Sequence, residues 1–333
     1  MQKVVAFGGG HGLAATLSAL RQITNEITAV VTVADNGGSS GRLREEFPIL
    51  PPGDLRMALA ALCADDEWGR TWANIMQHRF ESDGPLNGHA MGNLLLASLW
   101  NENEDPVVGL DRVGQLLKVI GRVLPMSAVP LDIEASFNTS TGRIVVRGQK
   151  EVATAKGRID SLRVIPENPQ PLAETLTAIR VADWITMGPG SWFSSVMPHL
   201  MVPMQQDALI RTKAKKIVVL NLDASHSMVG EEFAGSTPEE HLEFFHRYAP
   251  DLAIDYCLVD PSVVRNSRAL DEAASKMGGR VITADIRKAP GSVHHDVSKL
   301  TLHLGHIMCP KLVGYPHGND SISQGRTLSN LHL

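Results

Sequence analysis

The stretch Lys3–Asp35, KVVAFGGGHGLAATLSALRQITNEITAVVTVAD, decides the fold. KVVAFGG is a short apolar run stopped by glycine, and GLAATLSALRQI then sets Leu13, Leu17 and Leu20 at helical spacing. EITAVVTVA follows as a second, continuously apolar run, the pattern of a strand covered on both faces and so of a parallel sheet. Strand, glycine turn, helix and strand make a complete βαβ unit by Asp35. Within it Gly10, Gly12 and Ala15 fit the Gly-x-Gly-x-x-Gly/Ala fingerprint, whose glycines permit a tight turn and close backbone approach to a pyrophosphate. The uncapped amides opening the helix would face that anion. Asp35 closes the second strand, where a ribose-binding carboxylate belongs in a dinucleotide fold.

After Asp35 the pattern departs from a plain dinucleotide loop. Asn36-Gly37-Gly38-Ser39-Ser40-Gly41 offers flexible backbone and two hydroxyls, followed by Arg42 and Arg44. Two readings stand: a second anion nest, or an Asn-Gly hairpin turn, against which RLREEF lacks clean alternation. In PPGDLR, Asp54 reads either as the N-cap of LRMALAAL or as a metal-binding or proton-handling carboxylate beside two anion cradles. In LNGHAMGNLLLASL, Asn87, His89 and Asn93 cluster at a helix start and form a candidate ligand wall. ITMGPGSWFSSVMP repeats the strand-glycine-helix grammar with Gly188, Pro189, Gly190 and Ser191. Two such loops are expected to face each other at a topological switch point.

The rest of the chain extends the first unit. Residues from about 55 to 123 read as a helical insertion, and PLDIEASFNTSTGRIVVRGQ alternates around a turn as an antiparallel hairpin spanning about 130–165. From Pro171 the βα alternation returns, through KKIVVLNL, IDYCLVD and GRVITAD. The expected architecture is a single α/β domain over 1–333: a doubly wound, Rossmann-like, mostly parallel sheet with a helical and β-hairpin insertion. The tail from about 318 to 333 is polar and aperiodic and receives no function.

Composition narrows the classes. The 333 residues are 43% hydrophobic and 20% charged with net charge −5, an ordinary globular balance without a basic run to follow a nucleic acid. Aromatic residues at 5% disfavour a base-stacking platform. Cys63, Cys257 and Cys309 lie far apart and read as reduced thiols, and no apolar run approaches the roughly 20 residues of a membrane span. A cytoplasmic protein without a nucleic-acid partner or membrane span is expected. His294, His295 and Asp296 are a weak metal candidate, because adjacent side chains point apart, and DASHS is not a nucleophile elbow.

The ordered motifs GGGxGL, DxGGSSGRLR, PPGDxR, GHxxGNLLL, ENPxPLxExxxAI and GPGSxxxSxxPxL run from Gly8 to Leu200. Together they resemble the CofD-like family and its YvcK branch of gluconeogenesis factors, with weaker agreement to about Asp285. The resemblance implies a Rossmann-like fold and a cytoplasmic factor tied to cell shape, wall synthesis and growth on gluconeogenic carbon. It also implies a nucleotide ligand, a UDP-sugar or an NADP-like dinucleotide. The relative that names the fold, 2-phospho-L-lactate transferase, moves a phospholactyl group from a guanosine-diphosphate donor to a deazaflavin precursor with Mg²⁺.

Carried over by motif, Gly9, Gly10, Asp35, Ser39, Ser40, Asp54, Asn93, Gly190 and Ser191 would line the nucleotide and phosphate site. His11, Gly12, Asn36, Gly38, Arg44 and Gly188 complete the expected ligand-binding set, and Asp54 is the candidate for catalysis and for Mg²⁺. A homo-oligomer and protein partners in wall or carbon regulation are expected. The chain departs from the family at His11, where threonine is usual, at Asn36, where a second aspartate is usual, and at Trp192-Phe193, which replaces Leu-Tyr. NLDASHSMVGEEFAGSTPEEHL also differs from the usual segment, so the distal pocket is expected to differ. With one aspartate lost, ligand binding ranks ahead of metal-assisted transfer, and a nicotinamide dehydrogenase ranks last for want of a hydride-transfer acid.

Overall fold

A computed structural model of the chain describes residues 1–102, 105–222 and 237–309. Seven strands form one wholly parallel sheet: β1 (Val4–Gly8), β2 (Ile27–Val31), β3 (Arg122–Pro125), β7 (Trp184–Met187), β8 (Lys215–Val219), β9 (Tyr256–Val259) and β10 (Arg280–Thr283). A second, antiparallel sheet holds β4 (Asp132–Thr139), β5 (Gly142–Arg147) and β6 (Arg158–Ile165), in the order β5-β4-β6. All five residues of β1 are buried, as are all four of β7, which is why these strands read as unbroken apolar runs.

The large sheet runs β10-β9-β8-β7-β1-β2-β3. From β1 the chain winds through β2 to β3, then returns to the other side of β1 as β7 and winds outward to β10. Right-handed crossovers place the connecting helices of the two halves on opposite faces. Helix Gly10–Leu20 packs between Pro52–Ala61 and Val297–Met308, while Pro203–Arg211 packs on Ala173–Val181 and Pro238–Tyr248 on Ser267–Lys276. The winding reverses between β1 and β7, so the crevice at their carboxyl ends is the expected ligand position. Both glycine-rich loops open there.

The helices begin where the local chemistry predicts. Asp105 accepts from the Val107 amide ahead of Pro106, and Thr237 and Glu240 form a reciprocal capping box around Pro238. Three elements differ from expectation. The segment from Gly38 to Glu46 is a helix, neither hairpin nor open loop. Helix Pro52–Ala61 starts on its prolines, so Asp54 lies inside the first turn and is not its cap. Arg122–Pro125, read as the end of the helical insertion, is strand β3, pairing with β2 at the sheet edge.

Candidate functional site

The glycine loop after β1 is shaped by what lies under it. Gly9 is extended, and a Cβ there would stand 2.5 Å from both Asp54 Oδ2 and Thr32 Oγ1 and 3.2 Å from Ser195 Oγ. Three oxygen-bearing side chains therefore converge beneath this one Cα. Gly10 takes φ +58°, and its amide donates to the Asp54 carboxylate. The carbonyl of Gly8 accepts from the Thr32 amide at 3.0 Å and from His199 Nε2 at 3.3 Å. His199 is fully buried, with Gln205 Nε2 on its carbonyl, and burial pushes its pKa down to about 4. It is therefore the neutral imidazole that braces the loop.

The opposite wall is the turn after β7. Thr16 Oγ1 donates to Gly188 O at 3.2 Å, and a Cβ on Gly12 would overlap Pro189 O and stand 2.7 Å from the Gly190 Cα. The two loops are in backbone contact, as their position at the switch point requires. Ser191 accepts from the Ser194 amide and pairs with its hydroxyl, capping the wide π-type turn Trp192–Val196.

Asp54 is the most perturbed group in the crevice. Protein surrounds it, although it keeps some solvent contact. Burial raises its pKa to about 7, the neighbouring Asp35 charge adds to the rise, and bonds from Thr32 Oγ1 (3.2 Å) and the Gly10 amide oppose it. Asp35 Oδ1 accepts from the Gly37 amide at 2.8 Å, while its Oδ2 stands 2.9 Å from where a Cβ on Gly53 would lie. The two carboxylates share one floor between the glycine loop and the first turn of helix Pro52–Ala61.

The third wall uses its side chains within the protein. Ser39 Oγ lies 3.0 Å from His89 Nδ1 and accepts from Asn93 Nδ2 at 3.0 Å, and Ser40 Oγ accepts from the Gly53 amide at 3.0 Å. Asn93 Oδ1 is buried with no partner. Gly38, at φ +49°, borders open space. Arg44, expected at the phosphates, donates to Asp35 O (3.1 Å) and to Asp132 (3.2 Å), tying its helix to the small sheet. Asn36 turns away from Asp54: its Nδ2 donates to Glu151 Oε2 at 2.8 Å and its Oδ1 accepts from the Lys150 amide at 3.0 Å. The six-residue helix Gln149–Thr154 thus spans the crevice, with Gln149 Nε2 donating to Ser194 Oγ at 3.4 Å.

The structure therefore brings Gly9, Gly10, Gly12, Asp35, Asp54, Gly188, Gly190 and Ser191 to one crevice and commits Ser39, Ser40, Arg44 and Asn36 to its walls. Sequence reading missed Thr32, Gln149, Ser195 and His199. Thr32 carried a signal, being the lone hydroxyl in the apolar run VVTVA; His199 carried none. His294 and His295 do point apart, His294 toward His11 and His295 toward Leu220, and no group of three metal-ligating side chains exists among the described residues. The divergent 223–237 segment lies outside the described residues except for Thr237, and the 318–333 tail lies wholly outside them.

Comparison with known proteins bears on the family and the fold. The family profile described as "2-phospho-L-lactate transferase CofD" matches residues 4–298. A Mycobacterium tuberculosis protein named "Putative gluconeogenesis factor" is 45% identical over 318 residues, covering 93% of this chain and 91% of that one. The "Gluconeogenesis factor" of Halalkalibacterium halodurans is 37% identical over 278 residues, 83% and 81% of the two chains. A crystal structure of a UPF0052 family member from Bacillus halodurans superposes with TM-score 0.79 at 33% identity, covering 91% of this chain and 99% of that one. The chain belongs to the CofD family, among relatives that carry the name gluconeogenesis factor.

Proposed function

We propose that the protein is a nucleotide-binding factor whose crevice between the β1 and β7 loops holds the diphosphate of a UDP-sugar or NADP-like ligand. The observation that carries this reading is the contact of the two glycine loops at the switch point. The His11 and Gly12 amides open an uncapped helix there, and Asp35, which follows the neighbouring strand β2, would serve a ribose. Ligand occupancy would order the walls tied by Asn36, Gln149 and Arg44, and so alter the surface shown to partners in wall synthesis or carbon flux. A cytoplasmic homo-oligomer acting on cell shape is part of the same proposal. Among the described residues no helix is long and apolar enough to cross a membrane.

Thermal-shift titration with UDP-glucose, NADP⁺, GDP and Mg²⁺ tests the reading, since a ligand that binds only the folded state raises Tm by mass action. At 100-fold excess over Kd the stabilisation is about 2.7 kcal/mol. No shift with any nucleotide sinks the proposal.

One observation favours a second reading, Mg²⁺-dependent transfer of a phosphorus-containing group. Asp35 and Asp54 lie together on the floor, and the Asp54 pKa is raised to about 7 partly by Asp35, a repulsion that a divalent cation would relieve. Two carboxylates with phosphate oxygens and water are a donor set magnesium accepts, so the residues fit. The ion would neutralise charge on the transferring group. For their part, the loop amides would bind the phosphate oxygens, and Asp54, ionised once the Asp35 charge is offset, would hold the ion beside them. Product analysis after incubation with a GDP-linked donor and a deazaflavin acceptor decides between binding alone and turnover.

A further inference from the structure

We propose that His11 and His294, backed by Arg56 and Arg79, form an oxyanion subsite at the mouth of the crevice that takes a phosphate monoester on the bound ligand. The proposal rests on the nucleotide reading and adds to it a preference for ligands bearing a terminal phosphate.

The two imidazoles come from distant parts of the chain. His11 stands on the first turn of helix Gly10–Leu20 and His294 on the loop before helix Val297–Met308, and those helices pack together. Their rings lie 5.8 Å apart at 57°, both exposed to solvent. Arg56 is 3% exposed; its Nη1 donates to Gln77 Oε1 and, at 3.4 Å, to Met76 O, while Nε is buried without a partner. Arg79 is exposed and donates Nη1 to Gly88 O at 2.9 Å.

Charge decides what such a pair of histidines binds. Two imidazoles at this separation are a possible start for a transition-metal site, but two guanidiniums act on the same point. Partial burial lowers the His11 pKa, and His294, Arg56 and Arg79 each lower it further. The positive charges of Arg56 and Arg79 that resist a proton on His11 also repel a metal dication and favour an anion. The opposing charges, Asp35 and Asp54, sit on the crevice floor and bear on Arg56.

The form of phosphate follows from donor count. A bridging diphosphate is served by the uncapped amides of the glycine loop. A monoester carries nearly two charges and three strong acceptor oxygens, which match two imidazole donors and a guanidinium. NADP⁺ has such a group where NAD⁺ does not, and the terminal β-phosphate of UDP, although held by an anhydride, presents the same three oxygens and charge where UDP-glucose does not.

Equilibrium binding of these four ligands to the full chain, without Mg²⁺ and at constant ionic strength, tests the subsite. The expected result is about tenfold or greater preference for at least one monoester ligand over its counterpart, the range of charge-assisted hydrogen bonds. The NADP⁺ and UDP arms separate a 2′-phosphate from a β-phosphate. His294→Ala should remove most of the preference while leaving affinity for the counterpart intact, and His11→Thr should reduce the preference as well. Equal affinities in the wild type, or a preference unchanged in both variants, overturn the subsite and leave the nucleotide reading standing. If none of the four binds, the nucleotide reading fails. Titration with inorganic phosphate, followed by the NMR signals of His11 and His294, then judges the subsite alone: shifted signals support it and unmoved ones overturn it.

Discussion

Asp54 shows what a single residue does in this site. Its folded pKa of about 7 lies well above the ordinary aspartate value of 3.8, so the folded state holds an extra proton between those limits. A raised carboxyl makes folding less favourable as pH climbs from about 4 to about 7, with no further loss above. The ceiling is about 4 kcal/mol, reduced by the solvent contact that Asp54 keeps. Asp54→Asn should therefore gain more stability relative to wild type at pH 8 than at pH 5, where roughly a third of the effect is present, as measured by urea unfolding; equal gains at both pH values would contradict the buried acid. Glycines give a sharper contrast. Gly12→Ala puts a Cβ onto the Pro189 backbone and should cost about 3 kcal/mol or more, whereas Gly38→Ala meets open space and bears only the left-handed conformational cost, roughly 1 kcal/mol. Equal shifts in urea midpoint would refute the loop contact. The glycine fingerprint was legible because its spacing is local. Thr32 was marked only as the lone hydroxyl of its apolar run, and Ser195 and His199 were not legible, because each reaches the site only through packing of elements distant in sequence.

At the scale of elements, the loop after β2 gives Asn36 a structural role of its own. Asn36 contributes both halves of its amide to the short helix Gln149–Thr154, donating to Glu151 and accepting from Lys150. An aspartate keeps the acceptor and loses the donor, setting a second negative charge against Glu151. Asn36→Asp should destabilise the clasp by about 1 kcal/mol, and the double change Asn36→Asp with Glu151→Gln should restore most of it. Faster proteolysis within residues 148–157 in the single variant, absent from the double, is the expected readout; no difference between them would show that the clasp carries no weight. The alternation of β4 and β5 made the hairpin legible. Helix Gly38–Glu46 and strand β3 were harder: one is glycine- and serine-rich with no apolar stripe, the other only four residues long and visible as strand chiefly because β2 offers it an edge.

For the whole molecule, the reversal of winding between β1 and β7 was readable from two strand-glycine-helix units, and it fixes where the loops meet. The stability of that arrangement toward acid was not readable, because it depends on which histidines the fold encloses. His199, His241 and His295 are buried, and burial pushes their pKa values down to about 4, 3 and 4. Each stays neutral in the fold but takes a proton once unfolded and exposed, where its pKa is near 6.5. Stability is therefore complete above about pH 6.5 and falls as pH drops toward 4. Three protons favour the unfolded chain in this window, and the proton already held by folded Asp54 offsets one. The net of about two gives roughly 3 kcal/mol lost per pH unit between about 6 and 4. A domain at the low end of the ordinary range of about 5–15 kcal/mol has little left by pH 4. Urea unfolding at pH 7, 6 and 5 should show this slope, and His199→Asn should make it shallower by about one proton even though the brace on Gly8 weakens. A midpoint that stays constant from pH 7 to 5 would mean that these histidines are solvated in the folded protein, and the neutral support assigned to His199 beneath the glycine loop would fall with them.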